Sequence, residues 1–175
     1  ENEPLIASLI AGDLDVAFLA GPVQEPDIEV IPLGADPFVA VLANDEYSAE
    51  LTSYDPMLLN GIGVIGENGG GAQLLIENGL RALGVSVQYV FRTNDNGAMQ
   101  AMARNGLAPA IMPLLAVDAH DPNVRVLPLN PPIPPRQILI ALPRPALRTA
   151  AATRFAQIAV AVGQSRLNAG GAIPV

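Results

Sequence analysis

Few side chains in this sequence could carry covalent or acid–base chemistry. The 175 residues include no cysteine, a single histidine, His120, and no lysine, because all nine basic residues are arginines. No serine lies in a G-x-S-x-G turn, and His120 stands beside Asp118 and Asp121 without the distant partner that zinc sites use. Thiolate, Schiff-base and Ser–His–Asp catalysis are therefore excluded. We expect no enzymatic activity, no metal and no cofactor, with His120 in a solvated turn.

Residues 61–66 match the G-x-G-x-x-G pattern of dinucleotide-binding loops. In such a loop the glycines lie between a strand and a helix, and an acidic residue about 20 positions later binds the ribose. Here Ile62, Val64 and Ile65 form the strand itself, and no acid occurs in residues 78–94. We interpret the match as a buried strand that contains glycines.

The glycine-rich turn after this strand is a better candidate for a binding site. Glu67, Asn68 and the glycines at 69–71 connect the strand to a helical run that begins at Ala72. A helix N-terminus suits an anion because its N–H groups are unpaired, and glycines let a ligand approach the backbone. An ordinary strand-to-helix turn is the alternative. Residues 93–95 (Thr-Asn-Asp) repeat the arrangement, and both loops could share one cleft because ligands bind beyond the carboxyl ends of strands.

Charge is distributed unevenly along the chain. Residues 1–80 contain fourteen acids and no base, whereas residues 81–175 contain nine arginines and three aspartates. A chain with a pI near 4.4 lacks the basic face that displaces phosphate counterions, so we do not expect it to bind nucleic acid. The acidic half either aids solubility or faces a basic segment outside this chain. No apolar stretch approaches the ~20 residues that a membrane-spanning helix needs.

Hydrophobic periodicity and turn signals predict an α/β fold with a largely parallel sheet. Leu74, Leu75, Leu80 and Leu83 are expected to form the apolar side of the second helix. Residues 44–51 are interpreted as a polar stretch, and glycines 170 and 171 as a terminal tail. The predicted helices are residues 4–10, 72–83, 96–104 and about 146–162, with a short one at 113–118. The predicted strands are residues 14–20, 28–33, 38–42, 61–65, 85–92, 107–112, 124–129 and 137–142, with a break at 34–37.

Five segments in order along the chain resemble the effector-binding domain of LysR-type transcriptional regulators. They are residues 5–18 (LIASLIAGDLDVAF), 31–42 (IPLGADPFVAVL), 99–113 (MQAMARNGLAPAIMP), 126–129 (VLPL) and 135–136 (PR). The resemblance covers nearly the whole chain. It implies an α/β fold of the type 2 periplasmic-binding-protein kind, in which two α/β lobes are joined by two crossover strands. A small effector, often an organic anion, would bind in the cleft between the lobes.

The same resemblance implies domain boundaries and site residues. Lobe I would comprise residues 1–43 and 124–175, including the crossover strands near 37–43 and 124–142, and lobe II residues 44–123. Lobe I would be incomplete, because the family's first strand, helix and second strand have no counterpart here. The implied ligand-binding residues are Asn2, Gly21 and Pro22 in lobe I and Glu67, Asn68, Gly69, Gly70 and Thr93 in lobe II.

The resemblance thus predicts the ligand-sensing domain of a cytoplasmic bacterial transcription regulator. Its partners would be a small-molecule effector and, only through a winged helix-turn-helix domain absent from this chain, DNA; no membrane partner is expected. The full-length protein would be a homodimer or homotetramer. Specifically, we expect a carboxylate-bearing metabolite at the helix that starts near Ala72, with hydrogen bonds from Asn68 and Thr93. The alternatives are a periplasmic solute-binding protein of a transporter and, as a third class, an enzyme on the same scaffold.

Overall fold

The computed structural model describes residues 2–167 and divides the chain into two compact units. Within the described residues, the first unit comprises residues 2–36 and 136–167, and the second comprises residues 37–135. The chain therefore passes between the units twice, after Asp36 and after Pro135. The lobe boundaries expected from the sequence, after residue 43 and before residue 124, lie seven and twelve residues from these passages. Residues 1 and 168–175 of that assignment lie outside the described residues.

Eight strands and five α-helices form the two units over the described residues, which confirms the α/β class. The helices are α1 (Asn2–Ala11), α2 (Glu46–Ala49), α3 (Gly71–Ala82), α4 (Asn96–Arg104) and α5 (Ala150–Leu167). The strands are β1 (Ala17–Gly21), β2 (Ile28–Asp36), β3 (Phe38–Ala43), β4 (Gly63–Gly66), β5 (Gln88–Arg92), β6 (Ala110–Pro113), β7 (Val124–Pro128) and β8 (Arg136–Pro143). Short 3-10 helices cover Pro56–Leu59, Leu114–Ala116 and Pro145–Leu147.

The first unit is built on a three-stranded sheet in the order β1-β8-β2. Both pairings are antiparallel, so the expectation of a largely parallel sheet is wrong for this unit. Ala141 of β8 packs with Leu9 of α1, whereas its neighbour Ile140 packs with Ala156 of α5. Because successive strand residues point to opposite faces, α1 and α5 cover opposite faces of this sheet.

The second unit contains a five-stranded sheet in the order β5-β4-β6-β3-β7. Strand β4 is parallel to both β5 and β6, whereas β3 is antiparallel to β6 and β7. Val64 packs in the same cluster as Ile76 of α3, and Ile65 packs in the same cluster as Met99 of α4. The helices α3 and α4 therefore cover opposite faces, and only the β5-β4-β6 part has the parallel arrangement that the sequence suggested.

Several element boundaries differ from the expected ones. Strand β2 continues to Asp36 with a register shift between Pro32 and Gly34, so no break occurs at 34–36. The polar stretch contains α2, because Asp45 and Ser48 cap its N-terminus reciprocally. Helix α5 starts four residues later than expected, at Ala150, and the predicted glycine tail lies outside the described residues.

The apolar face of α3 also differs from the prediction. Leu74 is 58% exposed, whereas Ala72, Ile76 and Leu80 are buried. These three residues are spaced four apart and form the stripe that packs on the sheet. Leu75 and Leu83 pack against the same cluster, so the prediction fails for Leu74 alone.

Arginines late in the sequence pair with acids early in the sequence inside the first unit. Asp36 is fully buried, and its Oδ2 lies 2.8 Å from both Nε and Nη2 of Arg136. Arg148 pairs with Glu29, and Arg144 pairs with Asp27. Part of the acidic surface therefore finds its basic partner within this chain.

Candidate functional site

The two loops singled out in the sequence lie side by side in the second unit. They follow β4 and β5, which are parallel neighbours, so both leave the sheet at the same edge. The Thr93 N–H donates to the Gly66 carbonyl at 3.1 Å, and the Asn68 N–H donates to Asn94 Oδ1 at 3.0 Å. Residues 67–70 and 93–95 thus form one continuous surface within this unit.

The N-terminus of α3 opens onto this surface. Its N-cap residue, Gly70, offers no side chain to the first-turn amides. The φ angles of Gly69 and Gly70 are +151° and +102°, which explains why glycine occupies both positions. Glycines 69–71 are all exposed, and no atom lies within 4 Å of where a Cβ would stand on any of them. The surroundings therefore leave space for a ligand against this helix end.

The N-terminus of α4 is different because it is already capped. Asp95 Oδ1 accepts the N–H of Ala98 at 3.0 Å. A fixed carboxylate thus occupies the position where an anion would bind at α4, whereas the N-cap of α3 has no side chain at all. Of the two helix ends at this edge, α3 is the one that suits an external anion.

A polar cluster that sequence reasoning missed holds the loop before α3. Gln73 Oε1 accepts the Glu67 N–H at 2.8 Å, and Arg92 Nη1 donates to the Glu67 carbonyl at 2.9 Å. Gln73 Nε2 donates to Glu77 Oε1 at 2.8 Å and to the Tyr89 hydroxyl at 2.6 Å. The Arg92 guanidinium lies 3.8 Å above the Tyr89 ring, with Nη2 3.1 Å from Glu77. The backbone N–H and carbonyl of Glu67 are therefore held in place by Gln73 and Arg92 respectively.

A bulge in β5 explains why this cluster escaped sequence reasoning. Val64 pairs with Tyr89 and Ile65 pairs with Phe91, so Val90 is an extra residue in the ladder. Strict alternation would place Tyr89 and Arg92 on opposite faces of the sheet, but the bulge returns both to the α3 side. The i, i+4 spacing of a glutamine and a glutamate on α3 was the one signal available.

The cluster carries one balanced ion pair at neutral pH. Burial raises the pKa of Glu77, but hydrogen bonds from Gln73 and Arg92 and the positive charge of Arg92 outweigh burial and hold this pKa below 4.5. Burial and the neighbouring Glu77 charge raise the pKa of Tyr89 to about 12. The phenol is therefore neutral, and Glu77 and Arg92 neutralise each other.

The three site residues predicted in the first unit lie at the end of β1. Asn2 Nδ2 donates to the Ala20 carbonyl at 2.7 Å, and the Ala20 N–H donates to Asn2 Oδ1 at 3.2 Å. Gly21 is buried, and a Cβ there would lie 3.1 Å from Leu139 Cδ1. Pro22 follows it and is exposed. Asn2 thus serves first as a backbone partner of β1, with one amide hydrogen left over.

Concave features occur elsewhere in both units. A cavity of about 400 Å³ lies in the first unit, and one of about 150 Å³ lies beside Leu42 and Tyr47 in the second. None of the eight predicted site residues lines either cavity. The predicted residues instead occupy the first position of α1, the end of β1 and the loops that follow β1, β4 and β5.

Four other expectations from the sequence concern features outside this surface. Gly63 and Gly66 lie within β4, where Cβ atoms would come within 2.5 Å of Val90 and Tyr89, so close packing explains these two glycines of the dinucleotide pattern. Gly61 has a φ of +78° and lies before β4, as does Ile62, which was expected within the strand. The His120 side chain is 87% exposed and contacts Asp118. Among residues 2–167, no group of histidines and acids is arranged to hold a metal ion. No helix in that part of the chain is long and apolar enough to cross a membrane.

Two α/β units connected by two chain passages define a ligand-binding fold of the type 2 periplasmic-binding-protein kind. The family model of the LysR substrate binding domain matches residues 1–164, and the chain belongs to this family. It is the effector-binding domain of a LysR-type transcriptional regulator. The expected family and fold are thereby confirmed.

Solved structures agree with the fold. The chain is similar to a putative LysR family transcriptional regulator from Pseudomonas aeruginosa, with 18% identity and a TM-score of 0.81 over 93% of this chain and 57% of the other. It is also similar to the effector binding domain of QuiR in complex with shikimate, with 23% identity and a TM-score of 0.78 over 94% of this chain and 78% of the other. A third similar structure is the Synechocystis PCC6803 CcmR regulatory domain in complex with 2-PG, with 18% identity and a TM-score of 0.77 over 94% of this chain and 80% of the other. At these identities the likeness shows the fold.

The chain thus spans little more than half the length of the Pseudomonas regulator. No curated protein sequence matches this chain significantly. Neither the family model nor these structures support the transport-protein alternative.

Proposed function

We propose that this domain senses a small anionic metabolite, which binds at the first turn of α3. The observation that carries the proposal is the exposed, uncapped N-terminus of that helix, next to a second helix end that Asp95 already caps. Support comes from the similar domains of QuiR and CcmR, which were solved in complex with shikimate and 2-PG respectively.

The residues around this helix end supply defined donors. Thr93 Oγ1 accepts the Asp95 N–H at 3.2 Å, so the hydrogen of the Thr93 hydroxyl is free for a ligand oxygen. The backbone N–H of Asn68 is used by Asn94, which leaves the exposed Asn68 side chain as its remaining donor. With the backbone amides of α3, these groups would hold a carboxylate by hydrogen bonds and by the helix dipole.

Binding without chemical conversion is the role we assign to this surface. No lysine or cysteine is present in the chain, and its single histidine, His120, lies outside the surface. In the full-length regulator, effector binding would shift the conformational equilibrium of an oligomer and so alter DNA binding by a winged helix-turn-helix domain. A cytoplasmic location and a dimeric or tetrameric assembly belong to the same proposal.

The sharpest test places a charge at the helix end without straining the backbone. Gly70→Asp would add the charge but would also strain the backbone, because Gly70 has a positive φ. Gly71 is the first residue of α3, has an ordinary φ and has open space around its Cβ position, so Gly71→Asp adds only the charge. Gly71→Asn is the matched control with the same shape.

Calorimetry with a panel of carboxylate metabolites measures the outcome. We expect Gly71→Asp to weaken effector binding at least about fivefold, because two charges within ~5 Å repel by roughly 1–3 kcal/mol near a protein surface. Gly71→Asn should bind within about threefold of the parent chain. Equal affinities for the aspartate and asparagine variants would show that the anion does not bind at α3.

A further inference from the structure

The cavity of about 400 Å³ in the first unit has no part in the proposed effector site. It lies where α5 crosses β2 and β8, and its apolar lining comes from Ile31, Leu142, Ala156 and Val160. On β8, Leu142 stands five residues beyond Gln137, which pairs with Gly21. That separation is ~16 Å along the strand, so the cavity is remote from the site residues predicted at the end of β1.

Small residues on α5 create this space. Ala152 and Ala156 face the sheet and are 3% and 4% exposed. Farther along α5, a Cβ on Gly163 would lie 2.9 Å from the Cβ of Leu33, so the helix and β2 are in close contact there. An alanine at position 156 therefore leaves unfilled a volume that a longer side chain could occupy.

Polar donors line one side of the cavity. Arg148 has a side chain only 13% exposed; its Nε donates to the Pro143 carbonyl at 2.7 Å, and its Nη2 pairs with Glu29. Within the described residues, Arg148 Nη1 has no hydrogen-bond partner. Gln157 accepts from Arg154 through Oε1, and its Nε2 likewise has no partner there. This nitrogen is not fully buried, so its acceptor is water unless a ligand oxygen takes that place.

The charges around the cavity indicate which ligand fits. Glu29 neutralises Arg148, so an anionic ligand would have to compete with a carboxylate already in place. Thr153 Oγ1 donates to the Thr149 carbonyl at 3.2 Å and adds no charge. The remaining lining is apolar, which favours an uncharged ligand with an apolar body.

We propose that this cavity is a second binding site, for a small uncharged molecule with an apolar ring or branched chain and one carbonyl-type acceptor. The apolar body packs on Ile31, Leu142 and Val160, and the acceptor binds Nη1 of Arg148. A volume of this size lies at the lower end of the ~300–1,000 Å³ range of ligand pockets, which suits a molecule of about ten to fifteen non-hydrogen atoms.

The test uses benzamide as the probe, with methyl-labelled protein observed by NMR. We expect saturable shifts of the Ile31, Leu142 and Val160 methyl signals, with intermolecular contacts from the aromatic protons to those methyls. Ala156→Leu fills the cavity and should weaken benzamide binding at least tenfold. Ala161→Leu makes the same change at an exposed position of the same helix and should alter it less than twofold.

Benzoate and toluene separate the parts of the proposal. Benzoate should bind no tighter than benzamide, and toluene, which lacks the acceptor, should bind several-fold more weakly. Absence of methyl shifts with benzamide up to its solubility would overturn the proposal, as would equal affinities of the 156 and 161 variants. Benzoate binding tenfold tighter would overturn the assignment of an uncharged ligand. Should Ala156→Leu not fold, the contacts observed in the parent protein decide the matter without it.

Discussion

The buried ion pair between Asp36 and Arg136 offers a quantitative test of this structure. Asp36 is fully buried, and its contacts with Nε and Nη2 of Arg136 are both 2.8 Å long. Arg136→Met keeps the length of the side chain but leaves the carboxylate without its counter-charge. Removing one partner of a buried pair costs about 3–5 kcal/mol. We expect a loss at the lower end, about 3 kcal/mol, because the Arg136 side chain is 20% exposed and the pair is therefore partly solvated.

Urea unfolding followed by circular dichroism measures this change in the free energy of unfolding. For a chain of this size, a loss of about 3 kcal/mol corresponds to a fall in Tm of roughly 6–12 °C. Adding Asp36→Asn to Arg136→Met removes the unpaired charge and should recover at least ~1 kcal/mol. Arg104→Met breaks an exposed pair with Asp121 and should cost less than about 1 kcal/mol. A loss for Arg136→Met no larger than that for Arg104→Met would refute the reasoning.

Three further predictions concern the second unit. Arg92→Gln removes the positive charge and the hydrogen bond that Arg92 provides to Glu77, so the pKa of Glu77 should rise. Carbon-13 NMR titration measures this pKa, and an unchanged value would contradict the ion pair. Because folding lowers the pKa of Glu77, the stability that it contributes is present above pH 4.5 and lost as pH falls through the folded value. Glu77→Gln should therefore make the free energy of unfolding depend less on pH in that acidic range. A pH dependence parallel to that of the parent chain would contradict this prediction. Gly79→Ala should destabilise the protein by about 1–3 kcal/mol, measured by thermal unfolding, because the new Cβ would lie 2.7 Å from Ile133. This loss is expected despite the better helix propensity of alanine. Gly71→Ala places its Cβ in open space and should not destabilise the protein.

Element type followed from local pattern in much of the chain. Helix α4 has the predicted bounds, because Asp95 caps its start and a buried methionine and alanine give it one apolar face. Strand starts were less accurate: β1, β4, β5 and β6 each begin two or three residues later than expected. The apolar residues before these strands lie in turns or irregular connections, and periodicity alone cannot distinguish them from strand residues.

Sheet direction depended on long-range pairing. The strand β8 comes last in the sequence and lies between β1 and β2, antiparallel to both. No local signal near residue 136 specifies these partners, which are about 100 residues earlier in the chain. The pairing is fixed instead by burial of Ile140 and Ala141 on opposite faces and by the ion pair to Asp36.

By itself the sequence determined the α/β class, the family resemblance and the glycine loop before α3. Those features are encoded by neighbours along the chain: apolar spacing, capping residues and glycines that tolerate a positive φ. Only the tertiary structure decided that Arg92 reaches both Glu67 and Glu77. A one-residue bulge turned Arg92 to the α3 face, and such a shift in register arises from strand pairing, which residues close in sequence do not specify.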